Sequence, residues 1–584
     1  MANIGTAARK AAVSFSQRAV SSVIDRRTMA IHKQMPNRTS TDMTRAPVPA
    51  GQPLNATTIQ RDIEAALARG DIKAATALAR KALDAGLAHP MLLDLRAFWH
   101  ESEGRYAAAC ADLQNALVLA PGNALLLNLL GRCRAANGEL IEGIAACRAS
   151  IAADPSFAAA HYNEGFALEQ LAELDEAWRS YNRALQLAPT MADASARLAG
   201  LAARRGDNSE ARDLANRALD LQPGNVPASF ALILVDLAER NFEAAEIRAR
   251  AVATNRSTTG QEHSTASSYL ADALDGLGRT AEAFELYRRV NEELAREFKN
   301  RFAGVERGRA LVRRLSREVA PIERSRWRSA SGSGAKLIFL MGFPRSGTTL
   351  LGQILTAHPR VETIEEKPLL GEALREFINK PGGLEQLASL SASELARHRE
   401  IFWDRVANEI GPKTDKFIVD QTPLNTIHLP VIARLFPESK VIFAARDPRD
   451  VVVSCFRRLF ALNPYTIEFL SLGDTARFYD ETMRLADRYR AAIDFAIAEI
   501  RNEDLIADFE GQTRVMCDFI GMSYDPKMAS FGESARGRRI STPSSLQMGR
   551  GIARDSIGHW RSYEKQLATV LPIIAPWVER FGYA

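Results

Sequence analysis

The chain has 584 residues, of which 46% are hydrophobic and 25% are charged, and its formal net charge is +5. This length predicts two or three domains, because single hydrophobic cores stop growing at roughly 250 to 300 residues. The composition excludes a wholly disordered chain, and so small a net charge gives no support to nucleic-acid binding. A local basic site for an anion stays compatible with it.

The five cysteines favour a reducing compartment. They include no CxxC pair and no metal-ligand spacing, and their odd number argues against a disulfide framework. No stretch reaches the roughly 18 apolar residues of a membrane span. We therefore expect a cytoplasmic protein without a membrane span. Residues 1–56 begin with a basic stretch, interpreted as a disordered tail, with a transit peptide or an anionic-surface segment as the alternatives.

A period of 34 residues runs through residues 57–300. It is marked by one series of prolines and two series of small residues, which we expect where two helices approach closely. The prolines are Pro121, Pro155, Pro189 and Pro223, and the small residues are Gly70, Gly104, Gly138, Ala172 and Gly206, then Ala75, Ala109, Gly143, Ala177, Ala211 and Ala245.

Between these markers, residues 123–136 and 140–153 read as short amphipathic helices joined at a small residue. The pattern resembles the tetratricopeptide repeat, with about six repeats and a degenerate one around Gly278 and Ala283. The resemblance implies an all-α solenoid whose groove holds a peptide or protein partner, while a scaffold or dimer surface remains open. The basic residues 301–328 predict a continuing helix, and residues 301–334 a linker.

A second domain, of α/β type with a parallel sheet, is expected over residues 335–584. The apolar run 336–341 predicts a buried strand, followed by a glycine-containing loop at 342–349 and a helical pattern to residue 358. Strand, loop and helix in this order point backbone N–H groups at an anion. The loop matches G-x-x-x-x-G-K-[ST] at Gly342, Gly347 and Thr349, but Thr348 stands where the lysine belongs.

Nucleotide triphosphatases use that lysine, with magnesium, on their β- and γ-phosphates, so its absence weakens a kinase or ATPase interpretation. Residues 344–349, Pro-Arg-Ser-Gly-Thr-Thr, are instead similar to the 5′-phosphosulfate loop of sulfotransferases. The resemblance implies that the co-substrate 3′-phosphoadenosine-5′-phosphosulfate (PAPS) binds here without a metal. The residues that would bind it are Arg345, Ser346, Gly347, Thr348 and Thr349, and Arg345 would also stabilise the sulfuryl oxygens.

A second element carries the same resemblance. Residues 440–445 predict a buried strand, Arg446 follows it, and Ser454 lies eight residues later on a predicted helix, 451–460. In sulfotransferases an arginine and a serine with this spacing hold the 3′-phosphate of the donor, and the resemblance implies that role here. The alternative for Arg446 is a surface ion pair with Asp447 or Asp450.

A hydroxyl acceptor must lose its proton, so a base is expected near the loop. Glu365 and Glu366 follow the loop helix in a layout that resembles tyrosylprotein sulfotransferases. Counted from Arg345, Glu366 matches the glutamate that serves as base in that branch. The alternative is a solvated carboxylate paired with Lys367.

Two positions depart from the family pattern. Gln421 stands where a lysine is usual, which would slow transfer unless Lys416, Arg345 or another cation compensates, and Asn502 stands where an aromatic residue is often found near the adenine. Near the end of the printed sequence, a basic loop that closes over the nucleotide in the family has four candidates here: Ser544, Arg550, Arg554 and His559.

The two resemblances together imply a PAPS-dependent sulfotransferase whose acceptor is a hydroxyl of a peptide, a glycan or a small molecule, with protein tyrosine as one candidate. A tetratricopeptide scaffold whose sulfotransferase domain is weakened or inactive is the alternative, supported by Gln421 and Asn502. A kinase is the third hypothesis, and magnesium-dependent turnover of ATP would favour it.

Overall fold

The computed structural model describes residues 44–45, 56–322, 324–327, 334–411, 415–532 and 557–583. Within these residues the chain divides into two units, one formed by 44–45, 56–203, 208–232 and 255–263, and the other by 204–207, 233–254 and 264–583. The second unit therefore contains the sheet together with the last helices of the repeat region. The predicted boundaries at residues 300 and 335 stay a prediction. The basic tail falls almost wholly outside the described residues.

The repeat region is a series of helix hairpins, as the 34-residue period predicts. Its helices are α1 (Ala56–Ala68), α2 (Ile72–Asp84), α3 (Pro90–Ser102), α4 (Tyr106–Leu119), α5 (Ala124–Asn137), α6 (Leu140–Ala153), α7 (Ala158–Gln170), α8 (Leu174–Leu187), α9 (Ala192–Arg205), α10 (Asn208–Leu221), α11 (Val226–Glu239), α12 (Phe242–Thr254), α13 (Gly260–Gly276) and α14 (Thr280–Phe298). Two short strands, Thr44–Arg45 and Leu87–Ala88, pair antiparallel beside α2 and α3.

The first series of small residues has a different cause from the one expected. Gly70, Gly104, Gly138 and Gly206 have φ between 70° and 89°, and Ala172, which stands in the same series, has φ 60°. At Gly70, Gly104 and Gly206 an added Cβ would meet nothing within 4 Å. Close helix approach is therefore the wrong explanation, and the tight turn requires a left-handed backbone instead.

The second series does mark close approach. At Gly143 an added Cβ would lie 3.0 Å from the carbonyl oxygen of Gly131 on the preceding helix. Ala109, Ala177 and Ala211 are fully buried at the equivalent positions. The expectation is confirmed for this series.

Ala172→Gly is expected to stabilise the protein, because alanine in a left-handed turn is strained by about 1 kcal/mol and glycine is not. We expect the thermal midpoint of the full chain to rise by about 1–3 °C. Ala145→Gly, in the exposed middle of α6, is the matched control and should lower the midpoint. A midpoint that falls for both substitutions would contradict a strained turn at residue 172.

The second unit is built on a five-stranded parallel sheet. Its strands are β1 (Leu337–Gly342), β2 (Val361–Glu365), β3 (Phe417–Gln421), β4 (Lys440–Ala445) and β5 (Ala496–Arg501). Their order across the sheet is β2-β3-β1-β4-β5. Along the chain, β2 and β3 are added on one side of β1, and β4 and β5 on the other side. The carboxyl ends of β1 and β4 therefore form a topological switch point, where open α/β sheets bind ligands.

Helices cover both faces of this sheet. They are α15 (Gly308–Val319), α16 (Thr348–Thr356), α17 (Gly371–Ala373), α18 (Gly383–Ala388), α19 (Ala392–Ile410), α20 (Leu429–Leu435), α21 (Pro448–Arg457), α22 (Leu472–Ala492), α23 (Asn502–Ala507), α24 (Phe509–Ile520), α25 (Glu564–Leu567) and α26 (Leu571–Arg580). Short 3₁₀ turns lie at Lys299–Phe302, Arg324–Trp327, Pro423–His428, Thr466–Leu470, Pro526–Ser530 and His559–Tyr563, and a π turn at Leu374–Ile378.

Successive residues of β1 enter different cores, as alternation along a strand requires. Leu337, Phe339 and Met341 join the larger core, and Ile338 and Leu340 join the smaller core on the other face. All of them are at most 1% exposed. The predicted buried strand at 336–341 is confirmed within one residue.

Two predicted helices have different bounds. The helix expected over 451–460 is α21, which begins at Pro448 because the Asp447 carboxylate caps it by accepting from the Arg449 amide at 2.9 Å. It ends at Arg457, since Arg458 has extended backbone angles.

The continuous helix expected over residues 301–328 is interrupted. Gly304 has φ 74°, and the amide of Gly308 donates to the carbonyl of Pro464 at 2.8 Å. This tertiary hydrogen bond fixes the start of α15 against the 3₁₀ turn Thr466–Leu470. No helix among the described residues is long and apolar enough to cross a membrane.

Candidate active site

The loop between β1 and α16 has the backbone of an anion site. Arg345 and Gly347 are both left-handed, with φ 72° and 102°, on either side of Ser346. No side chain caps the first turn of α16, and the first amides of a helix have no intrahelical acceptor. The turn and the helix N-terminus therefore present N–H groups to an anion, as the sequence predicts.

Both glycines of the loop are required, Gly342 by a steric contact with backbone and Gly347 by its backbone φ of 102°. A Cβ at Gly342 would lie 2.5 Å from the Ala444 carbonyl oxygen on β4, and one at Gly347 would lie 2.9 Å from Oδ1 of Asn502. The second contact places Asn502, at the start of α23, against this loop. Its side chain packs on the loop glycine in place of the aromatic residue that is usual in the family.

The structure brings Arg345, Arg446 and Ser454 together. Nε of Arg345 donates to Oγ of Ser454 at 2.9 Å, and Nη1 of Arg446 donates to the Arg345 carbonyl at 3.2 Å. Arg446 is only 8% exposed, and its Nη2 lies 3.8 Å from a carboxylate oxygen of Asp450. The ion pair with Asp450 that the sequence left open is thus present, but it is buried and does not lie on the surface.

A further arginine, Arg458, joins this cluster and was missed in the sequence. The burial of Arg345 and the positive charges of Arg458, Arg446 and Arg457 lower the pKa of Arg345. Arg458 is half-buried and donates from Nη1 to Asp272 at 2.7 Å. It directly follows the last residue of α21, four positions after Ser454, and this closeness in the sequence is the signal that could have identified it. Converging cations of this kind favour an anionic ligand.

Glu366 lies at the carboxyl end of β2 with a left-handed backbone, φ 50°. Its amide donates to the Gln421 carbonyl at 2.9 Å, which fixes the turn. The side chain is solvent-accessible, yet the protein around it removes enough water to raise the pKa of its carboxyl. Among the described residues, no donor contacts this carboxylate, so it is available to accept a proton.

Glu365 is engaged differently. Its Oε1 accepts a hydrogen bond of 2.9 Å from Nε2 of Gln353, a buried residue of α16. The carboxylate of Glu365 therefore ties β2 to the loop helix. Lys367 pairs with Glu409 at 3.3 Å, and the alternative of a Glu366–Lys367 pair is not observed among the described residues.

Gln421 is completely buried at the end of β3. Its Oε1 would lie 1.7 Å from a Cβ added at Gly352, so the amide packs directly on α16. Neither atom of this amide makes a hydrogen bond with another described residue. The position where the family pattern has lysine thus holds a neutral polar group in contact with the loop helix.

Lys416 cannot supply the missing charge. It precedes β3, while Gln421 ends that strand, and a strand of this length separates the two by about 16 Å. The ammonium of Lys416 is 2.5 Å from Oε1 of Glu362, at the amino end of the sheet. The suggestion that Lys416 compensates for Gln421 is therefore wrong.

Asp420 is a second titratable group at this edge of the sheet, and it was also missed in the sequence. It is 2% exposed, and burial raises the pKa of its carboxyl to about 7. Oδ1 accepts a hydrogen bond from Thr422 at 2.8 Å. This contact shapes the turn that follows β3.

Three of the candidates for the nucleotide-covering loop, Ser544, Arg550 and Arg554, lie outside the described residues. The fourth, His559, lies 3.2 Å from a carboxylate oxygen of Asp275. It has a structural contact of its own, with the repeat helix α13.

Comparisons with known proteins identify the families of the two regions. The model of the sulfotransferase family matches residues 338–526, which span the loop, both glutamates, the arginine at the end of β4 and α21. The chain contains a sulfotransferase-family domain. Tetratricopeptide-repeat models match residues 100–158 and 162–226, so the sulfotransferase domain is joined to tetratricopeptide repeats.

Two relatives are similar to this chain at low identity. An uncharacterized protein of Aquifex aeolicus (strain VF5) is 27% identical over 301 residues, which are 50% of this chain and 39% of that protein. A putative protein-tyrosine sulfotransferase of Caenorhabditis briggsae is 26% identical over 266 residues, 42% of this chain and 89% of that protein. The chain thus spans about two fifths of the length of the Aquifex relative.

Among solved structures, the sulfotransferase domain of the Synechococcus PCC 7002 olefin synthase is similar to 40% of this chain and to 91% of its own. The sequence identity is 23% and the TM-score is 0.29.

Proposed function

We propose that the protein transfers the sulfuryl group of PAPS to a hydroxyl of an acceptor. The observation that carries the proposal is the arginine cluster at the switch point, where Arg345 of the loop contacts Ser454 and Arg446 from the next strand and helix. The ribose of PAPS has a 5′-phosphosulfate and a 3′-phosphate, so the donor needs cations both on the loop and on the unit formed by β4 and α21. The domain's family membership supports the reaction class.

The loop would hold the 5′-phosphosulfate. Ser346, Thr348 and Thr349 are each at most 6% exposed, so their hydroxyls and the first amides of α16 line a largely desolvated site. Desolvation strengthens each hydrogen bond to the sulfuryl oxygens. Arg446, Ser454 and Arg458 would hold the 3′-phosphate on the other side of the loop.

In the reaction, the acceptor oxygen forms a bond to sulfur while the bond from sulfur to the 5′-phosphate oxygen breaks. The acceptor proton goes to Glu366, whose raised pKa suits a general base. The electron pair of the broken bond stays on the bisphosphate, which leaves as 3′,5′-adenosine bisphosphate (3′,5′-ADP). Arg345 stabilises the negative charge that spreads over the transferring oxygens.

For the acceptor, a tyrosyl side chain of a peptide is the first class to test, since the curated relative of Caenorhabditis briggsae has the name of a putative protein-tyrosine sulfotransferase. The tetratricopeptide repeats are a surface on which such a peptide or its carrier protein could be held. All five cysteines are free thiols, which supports a reducing compartment such as the cytoplasm.

The reaction can be tested with PAPS labelled with ³⁵S in the sulfuryl group, incubated with the full chain and tyrosine-containing peptides in a chelator of divalent metals. We expect labelled peptide and an equal amount of 3′,5′-ADP. Formation of ADP from ATP and magnesium, with no product from PAPS across peptide, glycan and small-alcohol acceptors, would contradict the proposal and favour a kinase.

A further inference from the structure

The repeat helix α13, the first helix of the last hairpin, contributes a buried carboxylate to the second unit. Asp275 accepts from Nη2 of Arg457 at 2.5 Å and from the hydroxyl of Tyr563, and it lies 3.2 Å from Nε2 of His559. Its side chain is 9% exposed. Although burial opposes ionisation, these partners lower the pKa of Asp275 to about 2, so the carboxylate is charged at neutral pH.

Arg457 connects Asp275 to the helix that carries Ser454. It is the last residue of α21 and lies three positions after Ser454, on the same side of the helix. Its guanidinium lies 5.3 Å from the ring of Tyr287 and 5.4 Å from the ring of Tyr563. The carboxyl end of α21 is therefore fixed by groups from outside the sheet.

A second repeat helix, α14, holds the same end of α21. Nδ2 of Asn291 donates to the carbonyl of Phe456 at 2.8 Å, and the rings of Phe284 and Phe456 are 5.3 Å apart. Both contacts are to the residue immediately before Arg457. The last hairpin thus contacts α21 through charge, hydrogen bonding and apolar packing.

The turn that contains His559 also holds the amino end of α21. The amides of Gly558 and Trp560 donate to Asp450 at 2.7 and 2.8 Å, and Asp450 is 3.8 Å from Arg446. The same turn contacts Asp275 through His559. One side chain of the repeat helix therefore touches the supports of both ends of α21, between which Ser454 lies.

We propose that Asp275 is a positioning residue of the donor site, which holds α21 so that Ser454 and Arg446 face the 3′-phosphate. The proposal rests on the proposed function, since it assumes a donor with a 3′-phosphate. It assigns to the last helix hairpin of the repeat region a part in donor recognition. Small displacements of a binding group carry a large penalty in affinity, so the effect of losing Asp275 should be measurable.

The test is Asp275→Asn, with calorimetric titrations of the full chain against 3′,5′-ADP and 5′-AMP. The quantity compared is the 3′-phosphate preference, the ratio of the Kd for 5′-AMP to the Kd for 3′,5′-ADP. We expect this preference to fall about tenfold, because the 3′-phosphate ligands move while the loop remains. Removal of a negative charge near an anion site would by itself raise the preference, so a rise or an unchanged value overturns the proposal.

Asp112→Asn is the matched control in the repeat region. Asp112 is 4% exposed, holds Arg96 at 2.6 and 2.9 Å, and lies 3.6 Å from His100. Its loss should lower the thermal midpoint without changing the 3′-phosphate preference. An equal fall in preference for both variants would show a general structural effect and overturn the proposal.

If Asp275→Asn does not fold, Tyr563→Phe decides the question, since it removes only the hydroxyl that donates to Asp275. A fall of about two- to fivefold in the preference supports the proposal, and no change overturns it. Failure of the parent protein to prefer 3′,5′-ADP would instead contradict the proposed function itself, so the two failures are distinguishable.

Discussion

Glu366→Gln is expected to lower kcat for sulfuryl transfer about a thousandfold, within the range that loss of a general base produces. Glutamine keeps the size of the side chain and cannot accept the acceptor proton. Because Glu366 has no hydrogen-bonded partner for its carboxylate among the described residues, the substitution leaves the surrounding contacts in place. The Kd for 3′,5′-ADP should therefore remain within about twofold of the parent value.

Glu365→Gln is the matched control, since this neighbour already accepts a hydrogen bond from Gln353. An amide oxygen can accept the same bond, so kcat should fall by less than about tenfold. A large loss for Glu365→Gln with a small loss for Glu366→Gln would reverse the assignment of the base.

The pH dependence of kcat is an independent test of Glu366 as the general base. A base must be deprotonated to act, and burial raises the pKa of Glu366 above the ordinary value of about 4.3. Activity should accordingly be full above this raised pKa and decline as the pH falls through it. In Glu366→Gln the residual activity should no longer decline at low pH. A decline that persists would come from another titrating group, and Asp420 near the end of β3 is the first candidate.

Arg446→Ala is expected to reduce the 3′-phosphate preference about 100-fold, because it removes charge-assisted hydrogen bonds to a dianion. Affinity for 5′-AMP should fall less, because the loop that would bind the 5′-phosphate loses the hydrogen bond from Arg446 to the Arg345 carbonyl but keeps the one from the Ser346 amide to the Phe343 carbonyl. The measurement is the same pair of titrations used for Asp275→Asn.

Arg477→Ala serves as the charge control for this variant. Arg477 lies on α22, half-exposed, and pairs with Asp474 at 3.1 Å. Exposed pairs of this kind contribute little, so the preference should be unchanged. Equal losses for Arg446→Ala and Arg477→Ala would show that overall charge, and not a specific 3′-phosphate contact, sets the affinity.

Local patterns in the sequence predicted most of the fold. The 34-residue period gave the helix hairpins, and the apolar runs at 336–341 and 440–445 gave two central strands within one residue. These features are local consequences of side-chain periodicity. The cause of the turn series was mistaken, because the sequence shows a small residue at position 172 without showing that its φ is 60°.

Long-range contacts could not be predicted in the same way. Asp275 and Tyr563 are 288 positions apart, and nothing in either local sequence indicates that they meet. Gln421 is a similar case. The sequence shows a glutamine at this position, but it does not show that the side chain is buried against Gly352. Such contacts are set by how helices pack on the sheet, which depends on the whole core.

The site itself was partly predictable. The spacing of Arg446 and Ser454 was visible because both lie on one strand-helix unit, and the structure brings them to Arg345. The choice between Glu365 and Glu366 rested on counting alone. The two carboxylates have different environments, since that of Glu365 accepts a hydrogen bond from α16 and that of Glu366 is accessible, which supports the proposal of Glu366 as the base.

The arginine cluster is proposed to bind a nucleotide that has both 5′- and 3′-phosphates. Calorimetric titration of the unmodified full chain with 3′,5′-ADP and with 5′-AMP, in a chelator of divalent metals, tests this proposal most directly. We predict a Kd for 3′,5′-ADP at least about 100-fold below that for 5′-AMP. Equal affinities, or no binding of either nucleotide, would contradict the claim and leave a repeat protein with an inactive sulfotransferase-family domain.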